Sequence, residues 1–379
     1  PYLLHSFLAS IFRSLIRSPL FGTSALFFSG GGICDLSACA RISGLSSRIS
    51  RAHFLQVSIN GIVAAPPDHN RENILNPTVP PLQLTEFDHV PEGLLERPAS
   101  ALYQQLPGPT LIHLEGRLKR PLVVSVLQHG NEITGWEAIR RLLKSHYQRD
   151  ELPRSLVIFI GNPVAARQRL RRLDDQPDFN RCWPGGNEPD SEYTRLFRRI
   201  HDRLLELRPM AVIDVHNNTG LNPHYAALNR IRSDYLRLAS MFSPKVVYFT
   251  MPTGTLSHSM SEFCPSITLE CGQAGEVHGT DHSLAFLETC LHQETISLQP
   301  VDADSVHLFH MVATVNVNPD VLFGFGKVPA DVAFHDGLDE NNFRELDPGA
   351  SFGVIHNGAE QPLFAYDVEG RDITSSYFD

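Results

Sequence analysis

The sequence predicts an α/β fold: a mixed sheet flanked by helices, followed by a smaller all-β domain. Three observations carry that expectation. Between Thr110 and His292, apolar runs of strand length alternate with segments whose apolar residues recur at helical spacing. After Val301 the helical period disappears, and short β-rich runs are divided by Gly, Pro and Asp. The 379 residues, 42% hydrophobic and 20% charged, suffice for a large core and suggest two domains.

The first 60 residues differ from the rest, with five Arg, no Lys and a single acid, Asp35. Apolar residues from Leu3 to Ile16 keep a helical period, with Ser and Arg on the other face, as in a transit peptide. Arg13 and Arg17 keep the apolar run below the roughly 18 residues of a membrane span. The chain opens on Pro rather than Met, and a start assigned too far upstream is the alternative reading of this segment. Pro66, Pro67, Pro77, Pro80 and Pro81 give residues 61–83 the composition of a linker. Residues 1–83 are therefore expected to be an extension and linker, 84–300 the domain that carries the chemistry, and 301–379 the small β domain.

Within 84–300, Leu111–Leu114 and Leu122–Leu127 read as strands, and Trp136, Ile139, Leu142, Leu143 and Tyr147 mark a helix. Ser155–Ile160 is a further strand, and Tyr193, Leu196, Phe197, Ile200 and Leu204 mark a second helix. Ala211–His216, Lys245–Thr250 and Ser266–Glu270 read as strands and Thr280–His292 as a helix. Beyond them, Val312–Val317, Val321–Phe325, Ser351–Ile355 and Pro362–Val368 read as short strands.

A net charge of −10 argues against a nucleic-acid partner, which requires a basic face. Cys34, Cys39, Cys182, Cys264, Cys271 and Cys290 form no C-x-x-C pair, which suits free thiols in a reducing, cytoplasmic setting. The N-terminal segment leaves organelle targeting open, and a homo-oligomer is equally left open.

The chemistry centres on Val123–Gly135, VVSVLQHGNEITG, where a buried strand breaks at His129 and Glu132 before a helix. In an open α/β sheet, ligands bind beyond the carboxyl ends of the strands, so these two side chains face a site. The pattern H-x-x-E also occurs at His89–Glu92, where Pro91 interrupts it and no strand precedes it, so that copy reads as surface loop. His216 ends its own strand, AVIDVH, at the same edge, and a third ligand from a distant strand completes a His₂Glu zinc set. Strand period puts Asp214 on the face of His216, where it could hold the second ring nitrogen. Glu270 ends SITLE, and a carboxylate beside zinc can accept a proton from water whose pKa the ion lowers. Asn180 and Arg181 lie on a non-helical loop suited to a two-point grip on a carboxylate.

HGNE-x-TG, GNP…DFNR…WPG, DVHNNTG and LECG, in this order, resemble the succinylglutamate desuccinylase/aspartoacylase family of zinc carboxypeptidase-like hydrolases. The resemblance spans about Gly108 to Leu291. It implies one zinc ion per chain on His129, Glu132 and His216, Glu270 as general base, and Asn180 with Arg181 as the grip on a substrate carboxylate. It implies Arg172 as the arginine that polarises the scissile carbonyl, with Arg171 competing because the loop Leu173–Phe179 is one residue longer than usual. The stretch Thr255–Met260 lacks the Tyr and Arg that aspartoacylase-like members carry there, which leaves a second substrate carboxylate without its expected partner. The expected activity is hydrolysis of an amide bond in a small acylated amino acid or related compound. The alternatives are a carboxypeptidase-like metallopeptidase and a zinc-holding protein that binds an acylated ligand without cleaving it.

Overall fold

The computed structural model describes residues 82–378, apart from 146, 148, 149, 348, 357 and 359, together with the backbone of two earlier strands, β1 (Phe7–Arg13) and β2 (Ala52–Ile59). The linker up to residue 81, Cys34 and Cys39 lie outside the described residues. The helical reading of Leu3–Ile16 is corrected over Phe7–Arg13, which is extended and pairs antiparallel with β2. A helical period is a local signal and holds no information about a partner strand more than 40 residues away.

The strands that follow are β3 (Thr85–Phe87), β4 (Thr110–Leu114), β5 (Gly116–Val126), β6 (Leu152–Ile160), β7 (Ala211–His216), β8 (Tyr225–Leu228), β9 (Lys245–Tyr248) and β10 (Ser266–Glu270). The chain continues into β11 (His307–Val317), β12 (Phe323–Phe325), β13 (Val332–Phe334), β14 (Gly353–Ile355) and β15 (Leu363–Asp367). The large sheet has 12 strands in the order β1-β2-β11-β9-β8-β10-β7-β5-β6-β4-β3, with β15 also paired to β11. At its centre β10, β7, β5 and β6 run parallel, while β8 and β4 are antiparallel to their inner neighbours β10 and β6. The sheet is thus mixed, as expected.

Alternation along the central strands divides the core. Val124 and Val126 of β5 and Ile213 and Val215 of β7 bury one face under α1 (Thr134–Ser145), α4 (Ser233–Phe242) and α6 (Val277–His292). Val123 and Val212 face the other side, with Phe159 of β6, and meet Leu196, Phe197, Ile200 and Leu204 of α3 (Glu192–Glu206). Strands buried on both faces read as unbroken apolar runs, which is why VVSV and AVIDV were legible as strands. Two short helices, α2 (Pro163–Gln168) and α5 (Leu256–Met260), sit in the loops around the strand ends. No helix among the described residues is long and apolar enough to cross a membrane.

Within the stretch after Val301, β11 and β15 extend the large sheet, whereas β12, β13 and β14 form a separate sheet of three strands. Ala313, Val315 and Val317 of β11 pack with Phe323, Val332, Phe334 and Ala365 into a core of their own.

Candidate metal centre

Register brings the site together. Ser125 of β5 pairs with Asp214 of β7, and His216 pairs with Glu270 of β10, so three parallel strands end side by side. Beyond β5 the chain turns at Leu127, whose φ of 55° is left-handed and costs about 1–2 kcal/mol in a non-glycine residue. Asn162 N–H holds that turn by donating to the Leu127 carbonyl at 2.7 Å. Gly130 then passes so close to α2 that a Cβ would lie 2.2 Å from the Ala166 nitrogen, and its own N–H donates to the Arg171 carbonyl at 3.0 Å. The glycine of HGNE is therefore what lets the arginine loop dock onto the ligand turn.

His129, Glu132 and His216 converge. They are 3%, 6% and 3% exposed, and one ligand atom from each lies within 4.8 Å of the others. His129 Nδ1 is 2.8 Å from Glu132 Oε1, His216 Nδ1 is 2.7 Å from Oε2, and the two Nδ1 atoms are 3.2 Å apart. Each imidazole has its far nitrogen on a carboxylate: His129 Nε2 on Asp178 at 2.9 Å, and His216 Nε2 on Asp214 at 3.0 Å. A ring that donates from Nε2 presents a lone pair at Nδ1. Two lone pairs and an anionic carboxylate thus face one point, a donor set that calls for a cation and fits zinc. Without one, the charge must come from protons. Burial opposes a charge on His216, yet Asp214 and Glu132 together hold its pKa well above the ordinary imidazole range. Burial would likewise raise Glu132, but His129 and His216 keep it below the usual carboxylate range.

Asn217, next after His216, ties the ligands to the scaffold. Its N–H donates to Glu132 Oε2 at 3.2 Å, its Oδ1 accepts from Thr134 N at the start of α1, and its Nδ2 donates to Gly272 O at 2.9 Å. Burial pushes the Glu270 carboxyl up to about 7, against the pull of His216 and Arg171, and Asn218 Nδ2 lies 3.4 Å from Glu270 Oε2. A carboxyl with that value is suited to exchanging protons near neutral pH.

The structure separates the two arginines. Arg171 Nη1 donates to Glu132 Oε1 at 3.2 Å and Nη2 to Asp178 Oδ2 at 2.9 Å, which places its guanidinium in the site. Arg172 turns away and donates to the Gln176 carbonyl at 2.5 Å. Arg171 is held inward by these two carboxylates, and Arg172 is held away by the Gln176 carbonyl. Asn180 is buried, with Oδ1 accepting from Leu256 N at 3.1 Å and Nδ2 3.2 Å from His216 Nε2. Arg181 donates to the Asn180 carbonyl at 2.7 Å, and burial lowers its pKa although it stays charged. His89 of the other H-x-x-E is exposed against Asp88, apart from the site.

Asp178 carries more of this arrangement than the sequence revealed. It accepts from His129, from Arg171 and from Asn180 N–H at 2.9 Å, and these partners hold it well below the usual carboxylate range in spite of burial. Its signal was its place in DFNR, two residues before Asn180. Cys182, Cys264, Cys271 and Cys290 are free and buried, as expected of thiols without a partner.

The chain is similar to several known proteins. The model of the succinylglutamate desuccinylase/aspartoacylase catalytic domain matches residues 120–291. A curated succinylglutamate desuccinylase from Pseudomonas fluorescens is 29% identical over 252 residues, covering 60% of this chain and 71% of that protein. The crystal structure of the succinylglutamate desuccinylase from Chromobacterium violaceum is similar with a TM-score of 0.46 and 19% identity, over 60% of this chain and 76% of that one. A metallo-carboxypeptidase from Burkholderia cenocepacia is similar with a TM-score of 0.39 and 15% identity, over 51% and 66% of the two chains. Residues 120–291 are thus similar to the catalytic domain of the succinylglutamate desuccinylases and aspartoacylases.

Proposed function

We propose that this chain is a zinc-dependent hydrolase that cleaves the amide bond of a small N-acylated amino acid or a related compound. The observation that carries the reading is the convergence of His129, Glu132 and His216, with Glu270 paired in register beside His216. His129, Glu132 and His216 would hold one zinc ion, which when bound supplies a Lewis acid that activates water and the scissile carbonyl. Glu270 accepts the proton of the attacking water at a carboxylate oxygen. It then gives that proton to the departing amine nitrogen as the C–N bond breaks and the new C–O bond leaves a carboxylic acid. Arg171, not Arg172, is the guanidinium placed to stabilise the oxyanion that forms between these steps. Arg181, which donates to the Asn180 carbonyl, is the candidate partner for the carboxylate of the substrate.

Thr255–Met260 forms the cap and body of α5 and offers His258 as its only ionisable side chain. A second acidic arm on the substrate, as in an N-succinyl compound, therefore has no arginine on that helix. The test is metal analysis of the purified chain followed by a mass-spectrometric screen of N-acyl amino acids beside short peptides. Release of an acid and an amino acid supports the reading. Release of C-terminal residues from peptides would point instead to a carboxypeptidase, and binding without any product to a non-catalytic role. Glu270→Ala should keep stoichiometric zinc and lose roughly 10²–10⁴ in kcat. A variant that turned over at the original rate would remove Glu270 from the mechanism.

A further inference from the structure

Behind His216 runs a chain of buried polar groups that the hydrolysis itself does not use. Trp183 Nε1 donates to Gln128 Oε1 at 2.7 Å, and Gln128 Nε2 donates to both oxygens of Asp214, each at 2.7 Å. Asp214 Oδ2 in turn faces His216 Nε2 at 3.0 Å. All four residues are closed to water, at 1%, 1%, 0% and 3% exposure, so each donor must find its acceptor within the chain.

The direction of the chain follows from its far end. An indole N–H is a donor only. It therefore fixes Gln128 with the oxygen toward Trp183 and the amide nitrogen toward Asp214. The indole is itself held edge-on between Phe159 and Phe197, at ring separations of 5.5 and 4.9 Å. His216 Nε2 has a second neighbour, Asn180 Nδ2 at 3.2 Å, whose amide is oriented by the Leu256 N–H on its oxygen. The ring nitrogen cannot donate to Asp214 and accept from Asn180 at once. If it donates, Nδ1 offers a lone pair toward Glu132. If it accepts, the proton sits on Nδ1 and the ring has no lone pair there.

We infer that Gln128 and Trp183 are positioning residues that keep the Asp214 carboxylate turned to His216 and so hold Nδ1 ready for a cation. This rests on the reading of His129, Glu132 and His216 as a cation site. Gln128 does so from the residue just before ligand His129, and Trp183 from the loop that bears Asn180 and Arg181, so one chain joins the substrate loop to a ligand on another strand.

The experiment uses the full chain, with zinc affinity measured by chelator competition and the His216 Nε2–H proton, whose shift reports its hydrogen bond to Asp214, read by NMR on the zinc-loaded protein. Gln128→Met, close in volume but without donors, should weaken zinc binding roughly tenfold or more. Trp183→Phe frees the amide to rotate and should weaken it less. The double variant should bind no more weakly than Gln128→Met alone, because both act through one chain. In the wild type the His216 Nε2–H proton should resonate downfield, as a bond to the Asp214 carboxylate requires, and in both single variants it should move upfield. Zinc affinity in Gln128→Met within about twofold of wild type, or losses that multiply in the double variant, would overturn the inference while leaving the cation site standing. Wild-type protein that binds no zinc would overturn both. Should Gln128→Met fail to fold, Trp183→Phe decides alone: an unchanged affinity and an unchanged Nε2–H signal refute the inference.

Discussion

His129 and His216 offer the same Nδ1 atom to the same point, yet they are backed in different ways. The carboxylate behind His129 is Asp178, on a loop, 20% exposed in its side chain and bonded to the charged Arg171. The one behind His216 is Asp214, inside a strand, fully buried and bonded to the neutral amide of Gln128. Burial and charge trade places between them. A carboxylate near solvent can keep a cationic partner that also serves the site. A carboxylate sealed in the sheet is satisfied by neutral donors whose direction is set further back. The first arrangement couples His129 to the Arg171 guanidinium, and the second couples His216 to the core.

The largest effect should come from breaking the charged side of this pair. Arg171→Gln should lower kcat by roughly 10²–10³, the loss seen when one oxyanion donor is removed, whereas Arg172→Gln should leave steady-state rates nearly unchanged. Equal losses in the two variants would mean that the guanidinium facing Glu132 is not the one that matters.

The two carboxylates can be compared directly by zinc affinity. Asp214→Asn should cost roughly 100-fold and Asp178→Asn roughly tenfold, the two ends of the range for outer partners of a ligand. An amide at 214 must set an NH₂ against either Gln128 or the His216 ring, with no water to take up the mismatch. An amide at 178 can still accept from His129, near solvent. The reverse order would show that the strand-borne partner is the more dispensable one.

A smaller, graded effect follows from pH. Glu270 must be ionised to accept a proton, and burial pushes its value up to about 7, so the rate should fall as pH drops below that value while zinc stays bound. A cation on the neighbouring ligands moves this acid limb downward, because it favours the carboxylate. Arg171 acts in the same direction, so Arg171→Gln should shift the limb upward. An acid limb that stays in place between wild type and Arg171→Gln, both retaining zinc, would exclude Glu270 as the base.

Much of the site could be read from local pattern. The candidate ligands His129, Glu132 and His216, and the candidate base Glu270, all lie where an apolar strand run stops. Asp214 follows from a period of two. Asp178, Gln128 and Trp183 could not be read in this way, because each acts across a contact between segments remote in the chain: Gln128 meets Trp183 over 55 positions and Asp214 over 86. The arginines were ambiguous for a related reason. Adjacent residues on a loop have no period, and it is the carboxylates of Glu132 and Asp178, remote from one another in the chain, that hold Arg171 inward.

The same division holds for the fold. Apolar runs and helical spacing sufficed for the strands β5, β6, β7 and β10 and the helices beside them, since burial on both faces or on one stripe writes itself into composition. They did not reveal that β11 would continue the large sheet, that Phe7–Arg13 would be extended, or that β8 and α4 would fill the stretch between His216 and Lys245. Which side chains stand at the strand ends was legible in the order of residues. The partner of each strand, and the neighbours of Gln128 and Asp178, were decided by which distant segments close on one another, a property no short window of sequence contains.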